Sequence, residues 1–160
     1  MFMKNIGVYF DFSNLVYNPL LTILNPISCE LYNWEIFSNS IHLIDHDKNF
    51  TDDLLFDKIS FTDGETFYST IKNSNYYLIF AGFNAFPKDK PYEHIGEYDK
   101  FLNSNCEIVI DIYDSVYTTI LCKNAILLEE IYKNAIKNNF SKVRYLTDDD
   151  IRSNPYAVYA

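Results

Sequence analysis

The stretch CEIVIDIYDSVYTTILC, residues 106–122, carries the strongest local structural signal in the chain. It contains two runs of β-branched and aromatic residues, 106–113 and 116–122, which are typical of strands. Asp114 and Ser115 lie between them and are residue types that favour turns. The stretch therefore predicts an antiparallel hairpin.

A helix is predicted directly after this hairpin, over about 124–138. Asn124 can cap it, because an asparagine side chain accepts hydrogen bonds from the free backbone N–H groups at a helix start. Leu128, Ile131 and Ala135 recur at helical spacing and form an apolar stripe. We expect this stripe to pack on the sheet.

The rest of the chain predicts shorter elements. Strands are expected at 4–12, 31–37, 41–45, 76–83 and 142–146, helices at 18–25 and 63–73, and one or two helical turns at 98–103. Thr62 and Glu65 would form a capping box at the start of the second helix. Residues 38–40 predict a hairpin turn, 45–53 a charged loop and 147–160 a polar C-terminal tail.

These elements place the chain in one fold class. Hairpins are frequent, and strands do not alternate regularly with helices, a pattern that favours α+β over a doubly wound sheet. The sequence predicts a single α+β domain over 1–160, with a mainly antiparallel mixed sheet and two to four packed helices.

Composition restricts the partners. The chain has 13 Lys and Arg residues and 22 Asp and Glu residues, a net charge of −9, and its only arginines are Arg144 and Arg152. We therefore expect no direct nucleic-acid binding, which depends on a positive surface. No apolar run has the length of a membrane helix, and no basic leader precedes one, so we expect a cytoplasmic protein without membrane contact, as a monomer or weak dimer.

The three cysteines, Cys29, Cys106 and Cys122, form neither a CxxC pair nor an even set. This count disfavours both a disulfide framework and a structural zinc site. The sequence therefore predicts free, buried thiols.

Familiar catalytic and metal-binding motifs are missing from the sequence. The four glycines are isolated, which excludes GxGxxG, GxxxxGK[ST] and GxSxG. His42 and His46 would lie about 13 Å apart in a strand, too far to share an ion, and the consecutive aspartates 148–150 cannot converge on one cation. His94 is expected to be an exposed loop residue. We expect no metal and no cofactor.

Aspartates in or near predicted strands keep acid–base or metal-dependent catalysis open as an alternative. They are Asp11, Asp111 and Asp114. Asp111 alternates with Ile110 and Ile112, which predicts a side chain that points to solvent, and Asp114 is a turn former.

Negative charge is concentrated near the start of the chain, where residues 1–63 contain nine Asp and Glu residues but only three lysines. Part of this region, with a nearby aromatic segment, is the candidate partner-binding surface. Its residues are Asp45, Asp47, Asp52, Asp53, Phe83, Phe86 and Lys88. Phe83 and Phe86 can make contacts only if they remain exposed.

Three stretches in order resemble a bacterial family labelled domain of unknown function 2691. They are YYLIFAGFNAFPK (76–88), YDKFLNSNCEIVIDIYDSVYTTILCKN (98–124) and IYKNAIKNNFSKVRYLTDDDIR (131–152). The resemblance begins at GVYFDF (7–12) and extends through the final strand. It implies a single intracellular domain of a bacterium or phage, and it brings no residue role with it.

Two functions fit these observations. The first is a small acidic protein-binding module that neutralises a basic protein partner, as an immunity or inhibitor protein does. The second is a small-ligand-binding protein or an enzyme that uses Asp and His residues in an unfamiliar arrangement. The sequence favours the first, and thus a protein that is not an enzyme.

Overall fold

The predicted hairpin is the centre of the sheet in the computed structural model, which describes residues 4–154. Strand β6 (Ile108–Tyr113) pairs antiparallel with β7 (Tyr117–Cys122). Asp114 and Ser115 turn the chain with left-handed φ angles of 52° and 64°. Aspartate is among the few residue types that enter this region readily, which explains its place in the turn.

Six further strands complete one eight-stranded sheet, in which every pairing is antiparallel. They are β1 (Asn5–Asp11), β2 (Tyr32–Ile44), β3 (Phe50–Leu54), β4 (Phe61–Asp63), β5 (Tyr76–Pro87) and β8 (Ser141–Thr147). The order is β3-β2-β5-β6-β7-β1-β8, with β4 also paired to β2. β6 therefore lies in the middle, and β3 and β8 form the two ends.

Five α-helices and one 3-10 turn accompany the sheet. They are α1 (Pro19–Leu24), α2 (Gly64–Lys72), α3 (Tyr98–Asn103), α4 (Ala125–Lys137), α5 (Asp148–Ser153) and the turn Cys29–Leu31. Helices α1, α2 and α4 cover one side of the sheet, here called the helical face. In this core the Trp34 and Phe67 rings stack at 4.2 Å, and the Leu128, Ile131 and Ala135 stripe of α4 is buried as predicted.

The opposite side of the sheet, the second face, is covered over only part of its area. Side chains from α3, α5 and the segment before α3 bury Val109, Leu121 and Leu146 beneath Phe101 and Ile151. Toward the β6–β7 turn, the second face carries half-buried and exposed side chains. We call this region the open half.

The predicted fold class and the predicted hairpin are confirmed, but several local predictions are wrong. No turn forms at 38–40: these residues lie in the 13-residue strand β2, opposite Phe80 to Gly82 of β5. Long-range pairing overrides the turn preference of small polar residues. The charged segment 45–53 includes most of β3, which pairs with β2.

The predicted capping box at α2 also has a different N-cap residue. Asp63 Oδ1 accepts a 2.8 Å hydrogen bond from the Thr66 backbone N–H, whereas Thr62 lies in β4 opposite Trp34. Aspartate caps helices at least as well as threonine, and the pairing of β4 fixes where the strand ends.

The predicted polar tail is helical over much of its length. Thr147 and Asp150 form a capping box at the start of α5, and Ile151 is buried under the second face. The remainder of the predicted tail, 155–160, lies outside the described residues. Within residues 4–154, no helix is both long and apolar enough to cross a membrane.

Candidate functional site

The open half is organised around Asp111, on the central strand. Asp111 lies directly opposite Gly82 of β5 and Thr119 of β7. Since opposite residues of an antiparallel pair point to the same side, all three belong to the second face. Val109, two residues earlier, is buried under the covered half, whereas Tyr113, two residues later, is 59% exposed. Asp111 therefore sits at the border between the covered and open halves.

The Asp111 carboxylate is half-buried and has no partner. Within residues 4–154, no group hydrogen-bonds or ion-pairs with it. Its removal from water, without a compensating charge, raises its pKa from an ordinary 3.8 to about 6. Arg144, a cation on the same face, lies three strands away over the Tyr9 ring.

Aromatic rings occupy the open half from the β6–β7 turn to the β3 end of the sheet. We call six of them the aromatic strip: Phe37, Phe50, Tyr77, Phe80, Tyr113 and Tyr117. Phe80 contacts Tyr113 at 5.3 Å between ring centroids, and Tyr113 lies 6.4 Å from Tyr117. At the β3 end, Phe50 lies 5.9 Å from Tyr77. Five of the six side chains are between 39% and 59% exposed, and Phe80 is half-buried.

Gly82 determines how closely the strip approaches Asp111. The Phe37 ring lies over this glycine, and a Cβ at position 82 would come within 2.2 Å of the Phe37 Cε2 atom. Glycine is therefore needed beside Asp111 for the ring to lie flat against the sheet.

A second polar group lies next to this region, on β2 and β5. Asn84 Nδ2 donates a 3.0 Å hydrogen bond to Glu35, which also accepts one from the Tyr92 hydroxyl at 3.1 Å. Asn84 is 1% exposed, yet its Oδ1 has no hydrogen-bond partner among the described residues. Asn84 is opposite Val109, so it belongs to the second face and lies diagonal to Asp111.

On β1 and β8, at the side of the open half away from β5, the charged and polar groups have partners. The Tyr9 hydroxyl donates a 2.6 Å hydrogen bond to Asp11, and Lys142 Nζ lies 3.4 Å from the same carboxylate. Burial and the adjacent Asp11 charge raise the pKa of Tyr9. Asp11 therefore acts as a satisfied structural group, in contrast to Asp111.

The four predicted acidic contact residues lie together at the β3 end of the sheet. Asp45 and Asp47 are in the turn between β2 and β3, and Asp52 and Asp53 are exposed on β3. Asp45 Oδ1 closes the turn by accepting from the Asp47 and Asn49 backbone N–H groups at 2.9 and 2.8 Å. Within residues 4–154, none of the four carboxylates is ion-paired.

The remaining predicted contact residues are placed differently. Phe83 and Phe86 lie in β5 and are buried, at 0% and 1% exposure. Their predicted contact role required exposed rings, so this prediction is wrong. The reason is that β5 continues to Pro87, which places both rings in the packed layers of the sheet. Lys88 is exposed and pairs with Glu65 at 2.9 Å.

In the described part of the chain, the histidines and the C-terminal aspartates are not brought together as metal ligands. His42 bonds to Ser40 and to the Thr51 carbonyl, and no group of three or more His, Cys, Asp or Glu residues between positions 4 and 154 is arranged to hold a metal ion. Asp148 pairs with Arg152 at 2.8 Å at the start of α5.

A separate open depression of about 890 Å³ lies at the end of the sheet near α1. Its lining includes Asn14, Asn18, Tyr76 and the strongly exposed Leu15. Its buried polar groups are satisfied internally: Asn18 Nδ2 donates to the Ile71 carbonyl, and its Oδ1 accepts from Leu21 N–H and the Tyr76 hydroxyl.

The sequence predicted that Asp111 points to solvent, whereas the side chain is half-buried on the second face, and no sequence pattern indicated the site around it. Alternation with Ile110 and Ile112 identifies the face correctly. It gives no signal that half of that face is covered, because the covering segment has no regular periodicity. The aromatic strip draws on five strands, so it emerges only from their register.

The family resemblance is confirmed by comparison with known proteins. The model of the family described as "Protein of unknown function (DUF2691)" matches residues 5–157, and the chain belongs to this family. It is 33% identical over 146 residues to "Uncharacterized protein YncE" of Bacillus subtilis (strain 168), covering 91% of this chain and 94% of that protein. No solved structure matches the chain significantly.

Proposed function

We propose that this protein is a binding module that engages a basic protein through the aromatic strip and the adjacent acidic end of the sheet. The observation that carries the proposal is the strip itself. Large rings that remain exposed on a rigid sheet are typical of protein interfaces, where Tyr and Phe supply contact area at low cost in conformational entropy.

The charges beside the strip indicate what kind of partner it would take. Phe50 belongs to β3, the strand that carries Asp52 and Asp53, so unpaired carboxylates lie near the contacting rings of Phe50 and Tyr77 at this end of the strip. A basic protein would gain electrostatic steering from the acidic end and apolar contact from the strip. Neutralising such a partner is the action of an immunity or inhibitor protein.

The same charges argue against single-stranded nucleic acid as the partner, although bases also stack on exposed rings. Nucleic-acid binding relies on cations that replace counterions along the phosphates. Here the strip is bordered by Asp111, Asp52 and Asp53, and the chain has a net charge of −9.

The test is affinity capture with the full chain from its source cells, followed by reconstitution with the purified captured protein. Two variants are compared with wild type: a charge variant, with Asp45, Asp47, Asp52 and Asp53 changed to Asn, and a ring variant, with Tyr113→Ser and Tyr117→Ser. Asparagine keeps the Oδ1 atom with which Asp45 closes its turn, so the charge variant should keep its melting temperature.

The two variants should affect different rate constants. The charge variant should slow association about tenfold at low salt and flatten its salt dependence, because exposed charges act through a screened field. The ring variant should speed dissociation about tenfold or more, because packed rings hold the bound state.

A matched control removes four exposed charges elsewhere: Asp89→Asn, Glu97→Gln, Glu130→Gln and Asp149→Asn. It should leave association within about threefold of wild type. If the captured protein binds the charge variant and the ring variant as it binds wild type, the proposal is wrong.

The depression near α1 supports a second candidate, a small-ligand-binding protein, because its volume suits a metabolite. A thermal-shift screen of metabolites separates the two functions. A compound that raises the melting temperature of wild type, and that has a weaker effect on a Leu15→Ser variant at the rim, would favour the ligand-binding function.

A further inference from the structure

Asp111 is the one group of the open half whose environment conflicts with its chemistry. It is a carboxylate on the central strand, half-buried, with no donor or cation within hydrogen-bond or ion-pair reach in the described part of the chain. Its cross-strand neighbours on the same face are Gly82 and Thr119, and neither pairs with the carboxylate. Carboxylates in such places are normally paired.

An independent observation comes from Asn84, one diagonal step away across the β5–β6 pair. This side chain is 1% exposed, and its Nδ2 is used by Glu35, but its Oδ1 has no donor. A buried acceptor without a partner is uncommon. Asn84 Oδ1 is itself too buried to meet a partner, but its lack of a donor shows that the described residues at this border of the sheet face supply none for Asp111 either.

We propose that Asp111 receives the cationic end of one lysine or arginine side chain of a protein partner, which lies along the contacting rings of Phe80, Tyr113 and Tyr117. This inference rests on the proposed function and specifies one contact within it. The ammonium or guanidinium group would pair with the carboxylate, while the aliphatic stem would lie against the rings.

The chemistry favours binding of one cationic side chain at Asp111 over a general attraction between the partner's positive charge and the acidic end of the sheet. The acidic end at β3 is exposed, where ion pairs contribute little and salt screens them. Asp111 has water on one side only, and a cation placed over aromatic rings in a partly desolvated site is held more strongly than one in bulk water. The Asp111 contact should therefore be specific and less sensitive to salt.

The test is an NMR titration of the isotopically labelled full chain with Nα-acetyl-lysine methylamide. Nα-acetyl-norleucine methylamide, which has an apolar side chain and no ammonium group, is the matched ligand control. We expect saturable shifts at the Gly82, Asp111, Tyr113 and Thr119 amides, with a Kd in the millimolar range. The norleucine compound should give no saturable shifts there.

Two variants with the same loss of charge identify the group responsible. Asp111→Asn should weaken lysine-amide binding at least tenfold. Asp114→Asn, in the turn of the same hairpin, should leave the Kd within twofold, and asparagine tolerates the left-handed φ of 52° at that position. Equal binding by both variants, shifts confined to the acidic end, or equal binding of the norleucine compound would overturn the inference.

Failure of this contact and failure of the proposed function give different results. If a captured basic protein loses affinity for the ring variant but binds Asp111→Asn as well as Asp114→Asn, the docking function stands and the Asp111 contact is wrong. If the lysine amide binds at Asp111 while no protein partner depends on the aromatic strip, the contact stands as a small-amine site and the docking function is wrong.

Discussion

Replacing Asp111 by asparagine is expected to stabilise the folded protein at neutral pH. Partial burial raises the pKa of this carboxyl from 3.8 to about 6, and desolvation is its only cause. One pKa unit corresponds to about 1.4 kcal/mol, so the ionised carboxylate costs the folded state about 3 kcal/mol above both pKa values. Asparagine has nearly the same shape and no charge to desolvate, so up to about 3 kcal/mol should be regained.

The pH dependence of this gain has a definite sign. Between about pH 4 and 6, the folded state keeps a proton on Asp111 that the unfolded chain has released, so the contribution of this group to the free energy of unfolding falls as pH rises. Below about pH 3.8, the carboxyl is protonated in both states and the cost is absent. The advantage of the asparagine variant should therefore be full at pH 7.5 and small at pH 4.

The assay is urea unfolding of wild type and Asp111→Asn at pH 7.5, 6, 5 and 4, with Asp114→Asn as the control. Carboxyls whose pKa values are lowered in the folded state, such as Asp148 and Asp150, behave alike in all three proteins and cancel in the differences. The control should stay within about 0.5 kcal/mol of wild type at each pH. An asparagine variant no more stable than wild type at pH 7.5, or a gain that persists unchanged at pH 4, would refute the reasoning.

Three further predictions concern the core. Thr118 is fully buried and its hydroxyl has no partner among residues 4–154, so Thr118→Val should raise the free energy of unfolding by about 1 kcal/mol in urea unfolding, and a loss would reveal a bonded hydroxyl. Leu128→Ala should lower it by about 2 to 5 kcal/mol, and a change under about 0.5 kcal/mol would contradict the packing of α4. Cys29, Cys106 and Cys122 are buried free thiols, and burial raises the pKa values of all three, to about 12, 12 and 11. Iodoacetamide should therefore label them in mass spectrometry only after unfolding, without reductant, and rapid labelling of the folded protein would contradict their burial.

Local sequence signals were sufficient to predict those elements whose contacting residues are also close together in the sequence. The β6–β7 hairpin depends on a tight turn at Asp114 and Ser115, and α4 depends on its own cap and stripe, so both could be predicted. The path of β2 through 38–40 could not, because it is fixed by pairing with β5 about 40 residues away.

The candidate site was harder to predict for the same physical reason. Asp111 meets Gly82, Thr119 and the rings only through the register of several strands, and no local pattern specifies that register. The acidic residues at the β3 end were singled out by composition, a signal that needs no register, and their contact role stays a prediction. Composition could not show that Phe83 and Phe86 are buried, since an aromatic-rich run fits a core strand and an exposed loop equally well.

The two halves of the second face support our proposal of a basic protein as the partner of the open half. On the covered half, Val109 and Leu121 are buried by α3 and α5, so apolar residues of this chain cover that part of the face. On the open half it instead leaves rings in water and keeps a carboxylate half out of water, and each arrangement costs stability. An apolar partner would cover the rings but increase the desolvation of Asp111, and a polyanion would add repulsion. A protein surface that places one cationic side chain among apolar groups offsets both costs at once.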